Sequence, residues 1–440
     1  MIAERLFSDL QALFSAEQVQ ETTEAHLLGN GGEVTVYPTS EAEIAAVLTY
    51  ANQHGYTVST MGAGTKRGFG GLVQSANILL SLSRYKGIVE HVPGDMTVTV
   101  KAGTPFKELQ DYLATYGQQL SLDPYWPETA TVGGVVAAND SGPKRHGYGS
   151  CRDIVIGMRL VYPDGQIIRS GGKVVKNVAG YDMNKLFIGS MGTLAVISEI
   201  TLKLRPLPKC ESLVVIAFRS RALMNIRSLA TQILDSMLEP ISLQLMSPSL
   251  SRELIGEDAY CLAIALEDVE SSVRYQEKVL QKLGEPQAVV SIQSEEERIR
   301  FWHQFYRTGI NGATFTQGDS LTVGLKIGVK NLDALKIVET ADVLANSYDV
   351  RIRAHGGIGQ GLCQIDISGD SKGVLAAIAE MRKQVHELKG YAVVTHAPLV
   401  FRQQINVWGE KPAHFFLYEG IKSKIDPNKM LNHKRFVGGI

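Results

Sequence analysis

Residues 173–206, KVVKNVAGYDMNKLFIGSMGTLAVISEITLKLRP, constrain the fold most, because they join a polar, glycine-punctuated loop to an alternating strand with no packed helix between them. Gly180, Gly189 and Gly192 permit close approaches that a side chain would block, and residues 193–204 alternate as a strand with one buried face. A second loop of this kind, MGAGTKRGFGG at residues 61–71, places five glycines in eleven residues directly after the strand-like YTVST. Its amides are expected to converge on an anion such as a pyrophosphate. The nicotinamide-type fingerprint G-x-G-x-x-G fails here, because Arg67 stands at the third glycine and another glycine cluster follows where a helix is needed.

A third such segment covers residues 123–149, DPYWPETATVGGVVAANDSGPKRHGYG. Thr129, Thr131, Gly133 and Gly134 set hydroxyls and unshielded amides before the small-residue run VVAAN, an arrangement suited to a helix N-terminus facing phosphate. Core packing explains VVAA equally well.

The intervening segments supply a scaffold. EVTVYP reads as a strand, and Ser40 with Glu43 forms a capping box for a helix whose face carries Ile44, Val47, Leu48 and Ala51 and which Gly55 ends. TVTVKAG reads as a strand leading to a helix with Thr104 as N-cap, Pro105 at the first helical position, a face of Leu109, Tyr112, Leu113 and Tyr116, and Gly117 as stop. IVIGMRLVYPDGQIIRSG reads as a hairpin turning at Pro163, Asp164 and Gly165. After Leu207 the glycine-rich loops give way to alternating strand and helix patterns, which predict a mixed sheet with helices on one face.

Together the three glycine-rich segments resemble the FAD-binding domain of the vanillyl-alcohol oxidase type, the PCMH-type flavin fold, over about residues 30–206. Within that superfamily TVGGVVAANDSGPKRHGYGSCRDIVIG, the 171–208 stretch, VWG at 407–409 and the terminal IDPNKMLNHKRFVGGI look like the FAD-binding E subunit of bacterial glycolate oxidase. The resemblance implies an α+β chain with a two-lobed FAD-binding domain at 1–207, divided near residue 95, an α+β cap or substrate domain at 208–400, and a segment at 401–440 that packs back on the first domain.

The same resemblance implies site residues. Gly62, Ala63, Gly64, Thr65 and Lys66 would cradle the FAD pyrophosphate; Pro127, Thr129, Val132, Gly133, Gly134, Asn139, Gly142, Tyr148 and Gly149 would line the flavin and ribityl path. Gly192, Val196 and Ile197 would sit near the adenosine, and Asn432 near the isoalloxazine. Members that hold FAD covalently carry a His in the first loop where this chain has Thr65, which implies a non-covalent flavin. His146 is the nearest competitor for a covalent link. The implied partners are a paralogous FAD-binding D-type subunit and an iron–sulfur F-type subunit.

Composition excludes other classes. A net charge of -1 with no long Lys/Arg run argues against nucleic-acid binding. The N-terminal MIAERLFSDLQALF reads as an amphipathic helix rather than a signal peptide, and no segment approaches the roughly 18 apolar residues of a membrane span. The expected location is cytoplasmic, with any membrane association peripheral and through partners. Cys151, Cys210, Cys261 and Cys363 lie far apart, which argues against a metal or iron–sulfur site within the chain and against a disulfide framework.

For chemistry on a small 2-hydroxy acid, a side chain must anchor the carboxylate and another must accept the hydroxyl proton. Arg suits the first because its fork bonds both oxygens, and His suits the second because its ordinary pKa lies near about 6.5. Alternation in VRIRAHGG sets Arg351, Arg353 and His355 on one strand face, with Arg353 and His355 the preferred pair; a solvated strand face is the competing reading. His396, in VVTHAP, is a further candidate. Related D-2-hydroxyacid dehydrogenases carry a metal-and-substrate motif ending in GDGN; here AHGGIGQG has Ile358 and Gln360 in place of its Asp and Asn, so no metal site is expected.

Overall fold

The computed structural model describes residues 2–173, 180–218, 223–284, 288–316, 318 and 320–440. Residues 174–179, part of the glycine-punctuated segment 173–206, lie outside the described residues.

The first lobe is a four-stranded sheet in the order Val19–Glu21, Gly31–Val36, Ser75–Ser81, Val58–Met61, antiparallel at its first pair and parallel thereafter. Its helix Glu41–His54 opens with the expected capping box of Ser40 and Glu43, buries Ile44, Val47, Leu48 and Ala51, and stops at Gly55 in the left-handed conformation. The second lobe is an antiparallel sheet in the order Ile88–Val92, Thr97–Lys101, Val196–Lys203, Val155–Val161, Ile167–Gly171. The hairpin between its last two strands closes through Tyr162 N–H to the Gln166 carbonyl at 2.9 Å, around the anticipated turn. Both lobes share one apolar core, which also takes Met430 and Leu431 from the chain's far end.

The helix Phe106–Ala114 departs from its expected start. Pro105 occupies the cap position. The Thr104 hydroxyl instead donates to the Lys101 carbonyl at 2.7 Å and accepts from Gly87 N–H at 3.0 Å, so it ties the incoming strand to its neighbour rather than capping the helix.

The rest of the chain builds an eight-stranded sheet in the order Ala288–Ile292, Cys210–Phe218, Tyr260–Asp268, Ser242–Met246, Arg351–Gly357, Leu362–Gly369, Leu321–Gly328, Tyr391–His396. Every neighbouring pair is antiparallel, not mixed. Alternation sends Val214, Leu262, Leu245, Ile352, Ile365, Leu325 and Val394 to one face, where helices Leu223–Leu234, Glu270–Gly284, Ala334–Ser347 and Ser371–Glu387 cover them. The opposite face is apolar only in its first half, where Leu213, Val215, Ala217 and Ala263 meet Phe301 and Phe305. In its second half the same alternation brings Gln244, Arg353, His355, Gln364, Asp366 and Lys326 to the surface of the sheet. Polar residues in the middle of a large sheet need a purpose beyond folding, because each costs burial energy.

Arg402, with no exposed surface, ties the large sheet to the first lobe. Its guanidinium donates to the carbonyls of Gly71 at 3.0 Å, Leu28 at 2.6 Å and Gly68 at 3.4 Å, and also to Ala397. Among the described residues no helix is long and apolar enough to cross a membrane.

Candidate functional site

A cleft between the two lobes gathers the three glycine-rich segments. Gly62, Ala63, Gly64, Thr65 and Lys66 line it from one side, Gly133 and Gly134 from the second, and Gly192, Val196 and Ile197 from the third. Gly64 takes φ +81° and Arg67 N–H bonds back to its carbonyl at 2.9 Å, which curls the loop. A Cβ on Gly62 would stand 2.1 Å from Thr131 Oγ1, so only glycine allows the loop to lie against the helix start. Thr131 caps the helix Val132–Ala138 by accepting from Gly134 N–H at 3.2 Å, and Val132 N–H and Gly133 N–H donate to the Thr104 and Ala102 carbonyls at 2.9 Å and 2.8 Å, which fixes the helix start beside the cleft with its first amides already satisfied.

The cleft also exposes two cations that the sequence reading did not single out. Arg67 donates to the Gly29 carbonyl, and Arg435 reaches only the Thr60 and Lys66 carbonyls and Asn432 Oδ1, with its Nε buried and unpartnered. Among the described residues neither has a carboxylate partner. Burial, then the neighbouring Arg67 charge, pushes Arg435 down to about 10. Lys66, by contrast, is already paired with Asp140 at 2.8 Å. Loop amides and two guanidiniums without a carboxylate partner in one cleft fit the two phosphates of FAD.

The remaining expected cofactor residues do not line this cleft. Asn139, at φ 47°, faces a neighbouring cavity walled by Trp408 and Phe436. Asn432 holds the chain's end to the first lobe, accepting from Thr60 N–H at 3.0 Å and donating to Thr60 Oγ1 and to the Met191 and Gly192 carbonyls. Val132 is buried in the core, and Gly142 donates to Asp123 Oδ1 at 3.0 Å. Pro127 lies by Asp123 and Tyr306 in a separate hollow, and Thr129 sits half-buried on the turn before the helix. Gly149 ends the short helix Arg145–Tyr148, while the Tyr148 hydroxyl donates to Glu267 at 2.6 Å under the Arg205 guanidinium, facing away from the cleft. His146 packs against Gly359 on that same outer side.

A second cavity adjoins the cleft, sharing Thr65, Lys66 and Ala138 with it, and its floor is the polar half-face of the large sheet. Arg353 and His355 both reach it, and Arg351, at the exposed start of the strand, does not. Arg353 is committed to Asp366 at 3.2 Å, to the Thr308 carbonyl at 2.8 Å and to Glu253 at 3.0 Å. Both His355 nitrogens are engaged, Nε2 with the Tyr125 hydroxyl at 3.0 Å and Nδ1 with Gln244 at 3.2 Å. His396 differs: its ring is buried against Phe315, and among the described residues its Nε2 has no partner. Burial pushes both imidazoles down to about 3, aided at His396 by Arg402 and Lys66, so both are neutral at ordinary pH. Burial pushes Asp366 up to about 6 against the pull of Arg353. Lys326, also on this floor, was passed over in the sequence, although a Lys inside the apolar strand LTVGLKIGV was the available signal. Among the described residues no group of three or more His, Cys, Asp or Glu side chains is placed to hold a metal ion.

Comparison with known proteins agrees with this geometry. Residues 32–171 match the family described as "FAD binding domain". Glycolate oxidase subunit GlcD of Bacillus subtilis (strain 168) is 25% identical over 420 residues, 91% of this chain and 88% of that protein. Glycolate oxidase subunit GlcE of Escherichia coli (strain K12) is 41% identical, over 133 residues that make up 30% of this chain and 38% of that protein. The likeness to the E subunit is therefore local, and the likeness over the whole length is to the D subunit. The structure of p-cresol methylhydroxylase with substrate bound superposes with a TM-score of 0.77 at 15% identity, covering 98% of this chain and 96% of that one, which establishes the fold. Residues 32–171 form an FAD binding domain set in a PCMH-type flavin fold, and the chain is an FAD-dependent oxidoreductase.

Proposed function

We propose that this chain binds FAD non-covalently and oxidises glycolate or another small 2-hydroxy acid as one subunit of a glycolate-oxidase-like assembly. The observation that carries this reading is the polar half-face of the large sheet, which floors a cavity sharing Thr65, Lys66 and Ala138 with the cofactor cleft. When bound, FAD supplies the two-electron acceptor for oxidation of the carbon bearing the hydroxyl. The chain's own tasks are to hold and orient. The amides of residues 62–66 and the guanidiniums of Arg67 and Arg435 would hold the pyrophosphate, and Thr65 leaves no histidine there for a covalent link. His396 Nε2, neutral and without a partner among the described residues, would accept the hydroxyl proton. His355, fixed by Tyr125 and Gln244, and Arg353, fixed by Asp366, shape the wall beside it.

The division into a FAD-binding domain to residue 207, a cap to residue 400 and a returning tail belongs to the same proposal, as do a D-type paralogue and an iron–sulfur partner, and a cytoplasmic location with any membrane contact made through partners. A second reading, in which a partner oxidises substrate while this chain relays electrons or supports assembly, is favoured by Ile358 and Gln360 standing where related dehydrogenases carry the GDGN acid and amide. The test is His396→Asn in the FAD-loaded protein. Loss of a positioned base is expected to slow flavin bleaching by glycolate about 10²- to 10⁴-fold with FAD content unchanged; bleaching at the wild-type rate would remove His396 from the chemistry.

A further inference from the structure

We propose that Lys326 is the anion receptor of the cavity on the large sheet, and that the group it receives is the carboxylate of a small organic acid. The proposal rests on the reading of this cavity as the substrate site and names the residue that selects the substrate's charge. Register places Lys326 opposite Gln364, and Gln364 opposite His355, so the three form one row across adjacent strands on the face that floors the cavity.

Among the described residues, one of the charged side chains lining the cavity has no partner. The cavity's cations are Lys66, Arg353 and Lys326, and its carboxylates are Asp140 and Asp366. Lys66 is paired with Asp140 at 2.8 Å, and Arg353 with Asp366 at 3.2 Å and Glu253 at 3.0 Å. Both histidines are neutral. Lys326 is left over, with no hydrogen bond or ion pair among the described residues. Burial pushes the Lys326 ammonium down from the ordinary lysine range; Asp140 opposes this, and Arg145 and Lys66 add to it. An unpaired buried cation is costly, and a ligand carboxylate arriving beside it would offset that cost. The sequence-based choice of carboxylate anchor, Arg353, has its hydrogen bonds spent on Asp366, Glu253 and the Thr308 carbonyl. The cavity, with a volume of about 60 Å³ and bounded by Phe69, Tyr125, Leu250 and Ile310, suits a small acid.

The probe is oxalate, a carboxylate with no carbon–hydrogen bond to oxidise, titrated calorimetrically into the FAD-loaded protein. Lys326→Met and Lys326→Gln are each expected to weaken oxalate binding about 10- to 100-fold, the loss of one charge-assisted contact, with FAD content unchanged and the thermal midpoint not lowered. The preference for glycolate over the uncharged glycolamide should shrink by the same factor. Unchanged oxalate affinity in whichever variant keeps its flavin, or no oxalate binding by the wild type, would overturn the assignment. The two readings fail separately. Lys326-dependent oxalate binding with no flavin bleaching by any 2-hydroxy acid would keep the anion receptor and discard the proposed reaction. Bleaching by glycolate with the same half-saturating concentration in wild type and Lys326→Met would keep the reaction and discard the receptor.

Discussion

His355 and His396 reach one cavity from different strands and differ in what occupies their nitrogens. Both are neutral in the folded chain because burial pushes them down to about 3, whereas an unfolded histidine titrates near about 6.5. Between those values the unfolded chain binds more protons, so their stabilising contribution is complete above about pH 6.5 and is lost as the pH falls toward about 3. Asp366 and Asp123, pushed by burial up to about 6 and about 7, act in the opposite sense, since the folded chain keeps their protons longer and their contribution fades as the pH rises through that range. The histidine term is isolated by comparison: urea unfolding of His355→Gln should show about 2 kcal/mol less loss of stability than wild type between about pH 6.5 and about pH 5. Identical losses would mean that His355 titrates normally in the folded chain. The alternation in VRIRAHGG made Arg353 and His355 legible as cavity residues. That both would already be spent was not legible, because Asp366, Gln244 and Tyr125 come from elsewhere in the chain and meet them only through sheet register and domain packing.

At the scale of elements, the cofactor cleft depends on a loop and a helix end being pressed together. Gly62 lies so close to Thr131 that any Cβ must displace the threonine that caps the helix Val132–Ala138. Gly62→Val is therefore expected to destabilise the chain by about 1–3 kcal/mol through overpacking and a lost cap, and to lower FAD content more than stability alone explains. Full FAD content with an unchanged unfolding midpoint would contradict this packing. Glycine spacing disclosed these loops because the requirement is local: a missing side chain shows in the sequence itself. The start of the helix Phe106–Ala114 was misread because Thr104 found partners on a neighbouring strand, and strand direction in the large sheet was not encoded in any one segment. Arg435 stayed hidden for the same reason, since it joins the cleft from the opposite end of the chain.

Across the whole molecule, two buried cations close the structure around the cleft. Arg402 joins the large sheet to the loop following the first glycine cluster, and Lys422, buried with Asp426 at 2.6 Å, also donates to the Thr193 and Leu431 carbonyls, holding the returning tail beside the second lobe. The cleft and the cavity on the polar sheet face adjoin at Thr65, Lys66 and Ala138. Such adjacency is what a flavin oxidoreductase needs if the same chain binds the cofactor and its substrate. The measurement that tests this directly is anaerobic rapid mixing of the purified, FAD-loaded single chain with glycolate and with D-lactate, following the visible flavin absorption. Rapid bleaching by at least one of the two acids is expected in the absence of any partner; a flavin that stays oxidised until partner subunits are added would contradict substrate oxidation by this chain and leave it a relay or assembly subunit.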